Sequence, residues 1–186
     1  MNQNLQRSIG YALALTFLSL LTACGKASDG ASNAELYGAA VAGLADDEAF
    51  AIVNAGAEYP VLLASGQLFD GKQTAAFCDV YYAVDSGAKK IGSIDNPETA
   101  EPLACDASGI YAAGERQVLR YEINEEEGCL ELAEAVYIRY DEAGHETYEK
   151  ITGGNTEQIT EEEFLALLEK AQKADPILFH YGASGS

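Results

Sequence analysis

The amino-acid sequence predicts an α+β domain in which an antiparallel β-meander of about seven or eight strands lies between an N-terminal and a C-terminal helix. Short runs of β-forming residues recur at roughly 10-residue spacing, and glycine-containing turns separate them. One segment near each end instead has helical periodicity and begins with a residue suited to cap a helix. Because strands follow strands and the helices stand at the ends, the sheet is predicted to be antiparallel.

The first predicted elements are a short helix over residues 33–44 and two strands. Asn33 is a favourable N-cap, and apolar residues recur on one stripe of the helix. A strand is predicted at Ala49–Val53, and a second one over residues 59–64 after a short loop. Pro60 has no backbone N–H, so it is predicted to lie at a strand start or at a sheet edge.

The middle of the chain predicts a series of hairpins. In residues 117–123, apolar Leu119, Tyr121 and Ile123 alternate with charged residues, which indicates one buried face and one solvated face. Gly-containing turns connect this strand to its neighbours. The strands predicted in this region are residues 75–84, 89–94, 109–113, 117–123, 129–132, 136–140 and 146–151.

The last predicted element is a helix that begins with a capping box. The hydroxyl of Thr160 would accept the backbone N–H of Glu163, and the Glu163 carboxylate would bond back to the Thr160 N–H. Three glutamates in the first turn suit the positive end of the helix dipole. The predicted apolar stripe consists of Phe164, Leu167, Leu168 and Ala171. Residues 177–179 are predicted to form a last strand or a packed tail.

The N-terminus resembles the signal of a bacterial lipoprotein. Arg7 precedes an apolar run over residues 9–21 that is too short to span a bilayer, and Leu-Thr-Ala then leads into Cys24. The resemblance implies that residues 1–23 are removed and that Cys24 carries the lipid. An ordinary secretory signal is the alternative. Residues 24–32 are small and polar and are predicted to be a flexible tether, which leaves residues 33–186 as a single domain.

The charge of the chain restricts its partners. Eleven basic residues stand against 30 acidic ones, for a formal net charge of −19, and removal of Arg7 would make the mature chain one charge more negative. Such a surface repels nucleic acid and anionic headgroups, so no nucleic-acid partner is expected. The predicted contact with the membrane is therefore the lipid on Cys24, at the extracytoplasmic face of the cell membrane.

The order of elements resembles a group of secreted or lipid-anchored proteins of Gram-positive bacteria whose function is not characterised. The resemblance covers most of residues 34–173 and implies architecture and location only. In that group the loop between the first two strands is often rich in Asp and Gly, as in a calcium-binding repeat. Here Asn54 and Glu58 are its only side-chain oxygen ligands, too few for calcium. The segments that carry the resemblance are residues 49–53, 60–63, 80–87, 130–134 and 159–164.

No catalytic constellation, metal site or cofactor is predicted. Lipidation of Cys24 would leave Cys78, Cys105 and Cys129, whose spacing matches no zinc pattern and allows at most one internal disulfide. The only histidines are His145 and His180, and no serine lies in a nucleophile elbow or a phosphate loop. The acidic triplets have structural explanations as a turn and a helix cap.

Tyrosine is the only enriched recognition residue, with 11 in the chain. An exposed tyrosine row could stack on a sugar or hold a peptide, whereas β-propensity and core packing are the alternative explanation. The candidate binding residues are Tyr81, Tyr82, Tyr137 and Tyr140. The sequence therefore predicts a membrane-anchored, non-enzymatic binding or envelope-associated protein with a protein, peptide or glycan ligand. A small extracytoplasmic hydrolase, or an accessory subunit of one, is the alternative.

Overall fold

The computed structural model describes residues 32–69, 73–84, 87–96 and 101–182, which form twelve strands and two helices. The helices are α1 (Asn33–Ala42) and α2 (Glu161–Lys173). In chain order the strands are β1 (Ala49–Val53), β2 (Val61–Ser65), β3 (Phe77–Val84), β4 (Gly87–Asp95), β5 (Ala104–Asp106), β6 (Gly109–Ala113), β7 (Gln117–Asn124), β8 (Cys129–Tyr140), β9 (Glu146–Thr152), β10 (Asn155–Ile159), β11 (Asp175–Pro176) and β12 (His180–Tyr181).

The strands form two antiparallel sheets. The five-stranded sheet has the order β12-β1-β2-β3-β4, and the seven-stranded sheet has the order β10-β9-β8-β7-β6-β5-β11. Strands β1 to β4 in one sheet and β5 to β10 in the other pair in chain order, so the predicted hairpins are present, whereas β11 pairs with β5 and β12 with β1. The described residues contain twelve strands, not the predicted seven or eight, and the fold is mostly β. The last strand of the five-stranded sheet in this part of the chain, β4, ends at Asp95, and the first strand of the other sheet, β5, begins at Ala104.

The two sheets stack face to face, and each carries one helix on its outer face. Burial explains this arrangement, because β2 and β6 are buried at every position and so need cover on both faces. The inner cluster joins Val61, Leu63, Val80 and Ile94 of one sheet to Ile110, Ala112, Leu119 and Ala135 of the other. Helix α1 packs on the outer face of the five-stranded sheet, and α2 packs on that of the seven-stranded sheet.

Both helices begin with a complete capping box. The N-cap of α1 is Ser32, with Glu35 at N3, so the predicted cap Asn33 is the first helical residue instead. Ser32, at the end of the predicted tether, is therefore part of the folded domain. The predicted box of α2 is present, with Thr160 and Glu163 in the expected roles. Its buried residues are Phe164, Leu167 and Ala171, and Leu168 is only half-buried.

The segment after α2 contacts both sheets. Asp175–Pro176 pairs with β5 of the seven-stranded sheet, and His180–Tyr181 pairs with β1 of the five-stranded sheet. Between them, Ile177 and Phe179 are buried in the inner cluster. The segment thus adds a strand to each sheet and supplies two side chains to the core between them.

The predicted signal over residues 1–23, the lipid-bearing Cys24 and tether residues 24–31 lie outside the described part of the chain. Neither helix among the described residues is long and apolar enough to cross a membrane.

Candidate functional site

The four tyrosines predicted to bind a ligand do not share one surface. Tyr81 and Tyr82 are adjacent in β3 and point to opposite faces of the five-stranded sheet. Tyr81 packs half-buried in the cluster under α1. Tyr82 lies in the cluster between the sheets and is only 6% exposed. Neither ring therefore presents an open face for a ligand.

Tyr137 and Tyr140 lie on opposite faces of β8. Tyr137 packs half-buried against the inner cluster, and the guanidinium carbon of Arg139 stands 4.6 Å from its ring centroid. Arg139 is also within 3.3 Å of a carboxylate oxygen of Glu149 on the neighbouring strand. Tyr140 lies on the outer face and is 56% exposed. Of the four predicted tyrosines, Tyr140 presents the most open ring.

Tyr140 belongs to a cluster at the end of the β8–β9 hairpin. Its cross-strand partner is Glu146, and the Tyr140 hydroxyl donates a hydrogen bond of 3.3 Å to Glu146 Oε1. Tyr148, two residues along β9, donates a hydrogen bond of 3.1 Å to the other oxygen, Oε2. Two tyrosine hydroxyls thus hold one carboxylate in place. We call Tyr140, Glu146 and Tyr148 the Tyr140 cluster.

Helix α2 supports the cluster from one side. The ring of Tyr148 packs against Phe164, with 5.7 Å between the ring centroids, so the ring is fixed by the outer core. Burial is the main cause of the raised pKa of Tyr148, and the carboxylates of Glu146 and Glu161 raise it further. Glu161 is the first residue of α2, and its negative charge acts on the Tyr148 hydroxyl.

The geometry leaves the Glu146 carboxylate able to bind a cation. An ionised carboxylate can accept about four hydrogen bonds, and the two tyrosines occupy one position on each oxygen. Among the described residues, neither lysine nor arginine pairs with Glu146 or Glu161. Lys150, on the same sheet face, is held at 2.7 Å by Glu134. The cluster is therefore anionic, aromatic and open to solvent.

A second tyrosine–carboxylate contact joins the two sheets. The Tyr82 hydroxyl donates a hydrogen bond to Oε1 of Glu125, in the turn between β7 and β8. The same oxygen accepts the backbone N–H of Glu58 at 2.9 Å. Burial raises the pKa of Tyr82, and the bond to Glu125 raises it further, because a neutral hydroxyl is the form that donates. This contact stabilises the packing of the sheets and leaves little of Tyr82 for a ligand.

In the described part of the chain, no cysteine and histidine are paired as nucleophile and base. Cys78 and Cys105 are both buried in the inner cluster, and burial raises the pKa of Cys78 to about 12, which keeps the thiol protonated. His145 bonds to Asp141 in the β8–β9 turn through ring Nδ1 at 3.1 Å. His180 lies in β12, with its ring Nδ1 3.4 Å from Gln73 Nε2. The thiols of Cys78 and Cys105 are thus buried, and each histidine ring has a partner of its own.

A shallow pocket of ≈ 200 Å³ lies where the β1–β2 loop meets the β5–β6 turn. Its lining is mostly small residues, and its one carboxylate, Glu122, is paired with Arg120. The walls approach closely, because a Cβ on Gly56 would stand 2.4 Å from the carbonyl oxygen of Ala107. Ser108 and Glu122 are the only lining residues with polar side chains, fewer than a site that orients a substrate usually has.

Three potential metal ligands, Glu127, Cys129 and Glu131, also lie together at the start of β8. One ligand atom of each lies within 4.8 Å of the others. Glu131 already accepts a hydrogen bond of 2.7 Å from the Asn124 side chain. Burial is the main cause of the raised pKa of Cys129, and the carboxylates of Glu131 and Glu127 raise it further. The raised pKa disfavours the thiolate that a metal requires. Cysteine spacing does not reveal this group, because two of its three ligands are glutamates that flank a single cysteine.

Sequence reasoning found one member of the Tyr140 cluster and missed the others. The signal for Glu146 was its position across the β8–β9 turn, since the turn Asp141–Gly144 places Tyr140 opposite Glu146. Glu161 was explained as part of the acidic first turn of α2, and its charge also raises the pKa of Tyr148. No protein-family model matches the chain, and no curated protein and no solved structure matches it either.

Proposed function

We propose that this chain is an extracytoplasmic binding protein, held at the cell membrane by a lipid on Cys24 and without catalytic activity of its own. The location follows from Leu21, Thr22, Ala23 and Cys24 and from the apolar run before them. The resemblance to secreted and lipid-anchored Gram-positive proteins supports the same location.

The observation that carries the binding function is the exposed, preorganised Tyr140 cluster. Two hydroxyls and the packing on Phe164 hold its carboxylate and one of its rings before any ligand arrives. Preorganisation lowers the entropic cost of binding, so binding sites tend to be built in this way. The other three predicted tyrosines, Tyr81, Tyr82 and Tyr137, are instead used in packing, as are Cys78 and Cys105.

The position of the cluster in the fold also supports this function. Ser32 is the N-cap of α1, and α1 covers the outer face of the five-stranded sheet. Residues between Cys24 and Ser32 can span at most about 28 Å, so α1 would stay near the bilayer. The Tyr140 cluster lies on the outer face of the other sheet, where a partner from outside the membrane could reach it.

Anchoring is tested with Cys24→Ala, expressed in a Gram-positive host with a clickable palmitate analogue. Wild-type protein should take up the label and sediment with membranes, whereas the variant should lose the label and leave the membrane or keep its signal uncleaved. Cys129→Ser is the matched control, because it removes a different cysteine of the chain and should leave anchoring unchanged. Wild-type protein free in the medium and still carrying residues before Cys24 would contradict the proposal.

A further inference from the structure

Three features of the Tyr140 cluster bear on the kind of ligand it takes. The Glu146 carboxylate is bonded by two tyrosine hydroxyls, and its oxygens keep accepting positions to spare. The Tyr140 ring is 56% exposed beside that carboxylate. A cation close to both a carboxylate and an aromatic face gains from the charge and from the ring quadrupole.

We propose that the Tyr140 cluster binds a lysine or arginine side chain from a basic segment of an extracytoplasmic partner protein. The ammonium or guanidinium group bonds to Glu146, between the two tyrosines, and the aliphatic stem lies along the open ring of Tyr140. This proposal rests on the proposed binding function and names the chemistry of the partner.

Charge complementarity favours this partner over an acidic or a neutral one. The chain carries a formal net charge of −19, which attracts a basic segment over a distance and repels anionic glycans and nucleic acid. The free edge of the sheet also reaches the cluster. Among the described residues, β10 pairs with β9 only as far as Tyr148, and no other described strand pairs with Glu146 and Thr147 on that side. A peptide could lie there with one basic side chain on Glu146.

The closing experiment uses the full chain, purified in a non-ionic detergent, and N-acetyl-trilysine amide as the probe. Two-dimensional ¹H–¹⁵N NMR measures both the affinity and the amides that shift. We expect the largest shifts at Tyr140, Glu146 and Tyr148, and we expect binding to weaken as salt is added. The same peptide with its three side-chain amines acetylated should cause no shifts, because it keeps the length and loses the charge.

Glu146→Gln should weaken binding of the probe about three- to fivefold, the size expected of one exposed ion pair. Glu126→Gln is the matched control, since it removes the same charge from an exposed position in the β7–β8 turn. Tyr140→Phe should weaken binding less than Glu146→Gln, because it keeps the ring and loses only the bond that orients the carboxylate.

Equal weakening by Glu146→Gln and Glu126→Gln would overturn the proposal, because it would show that only diffuse negative charge attracts the probe. Shifts spread evenly over the acidic surface, or shifts centred elsewhere, would overturn it as well. These results are separate from the test of anchoring, which depends on Cys24. An anchored protein that does not bind the probe contradicts the basic partner alone, whereas a released protein that binds it contradicts the membrane location alone.

Discussion

Tyr82 in the five-stranded sheet donates its hydroxyl to the carboxylate of Glu125, which belongs to the turn between β7 and β8 of the seven-stranded sheet. The same carboxylate oxygen accepts the backbone N–H of Glu58 in the loop between β1 and β2. The backbone N–H of Tyr59 donates to the Tyr82 hydroxyl at 3.3 Å. One tyrosine and one glutamate therefore connect two sheets and a loop that are distant in sequence.

Tyr82→Phe should lower the free energy of unfolding by about 1.5 kcal/mol, the lower end of the range for a hydrogen bond to a charged group. The lower end applies because Glu125 is exposed and regains water when it loses the hydroxyl. Tyr81→Phe is the control, since its hydroxyl makes no hydrogen bond within the described ranges. Urea denaturation measures both variants, and equal midpoints for the two would show that the bond contributes nothing.

Leu167→Ala should cost about 2–5 kcal/mol, because Leu167 is 4% exposed and fills the cluster between α2 and the sheet. Leu168→Ala should cost less than Leu167→Ala, since Leu168 is only half-buried. Leu165→Ala on the same helix should change stability by no more than about 0.5 kcal/mol, because Leu165 is 49% exposed. Thermal melts of the three variants measure the order of their stability losses. A larger loss of stability for Leu165→Ala than for Leu167→Ala would contradict the assignment of the buried face.

Glu134 should make the stability of the fold depend on pH in the acid range. Burial acts to raise the pKa of Glu134, but Lys150 at 2.7 Å and Arg120 at 3.4 Å outweigh it and lower the pKa below its usual value. A lowered folded pKa means that the stabilisation is present above the unfolded pKa of about 4.3 and is lost as the pH falls through the folded pKa.

Wild-type protein should therefore be more stable than Glu134→Gln at neutral pH, and the difference should shrink as the pH falls below about 4. Urea midpoints across this pH range measure the difference. Subtracting the urea midpoint of the variant from that of the wild-type protein removes the contribution of the other carboxylates, which both proteins share. A difference that stays constant across the range would show that the charge of Glu134 is not coupled to folding.

Gly56→Ala should destabilise the fold more than Gly128→Ala does. Both glycines have positive φ, +84° and +63°, so both alanines carry the cost of left-handed backbone, about 1 kcal/mol. A Cβ at Gly56 also meets the Ala107 carbonyl oxygen at 2.4 Å, whereas none of the described atoms lies within 4 Å at Gly128. Calorimetry compares the stability of the two variants. Equal losses of stability would mean that the loop at Gly56 moves away from Ala107 at no cost.

No structural calcium or zinc site is predicted, and Glu127, Cys129 and Glu131 provide the strictest test of that prediction. Melting temperatures in chelator, in millimolar calcium and in zinc should coincide, because a ligand that binds only the folded state raises the melting temperature. The change in melting temperature that zinc causes should also be the same for Cys129→Ser as for the wild-type protein. A rise of several degrees with zinc that disappears in Cys129→Ser would show that the three side chains bind metal.

Local sequence was sufficient to locate most of the strands and both helices. Alternation in residues 117–123, the Thr160 capping box and the glycine turns are short-range signals, and the corresponding elements are present. Strand β10 was missed because its residues are polar on both faces and show no alternation. The Gly153–Gly154 turn, with both φ positive, was a usable signal for that hairpin.

Only the packed structure determines which sheet each strand joins and which tyrosines remain exposed. Alternation shows that a strand has two faces, but the partner that covers each face comes from residues far away in the chain, as Phe179 and Leu63 illustrate in the inner cluster. The same limit applies to the Tyr140 cluster. The hairpin brings Tyr140 to Glu146, but Tyr148 is fixed by Phe164 of a helix that begins after a further strand. Tertiary packing decides such contacts because long-range burial, not local propensity, supplies most of the free energy that selects them.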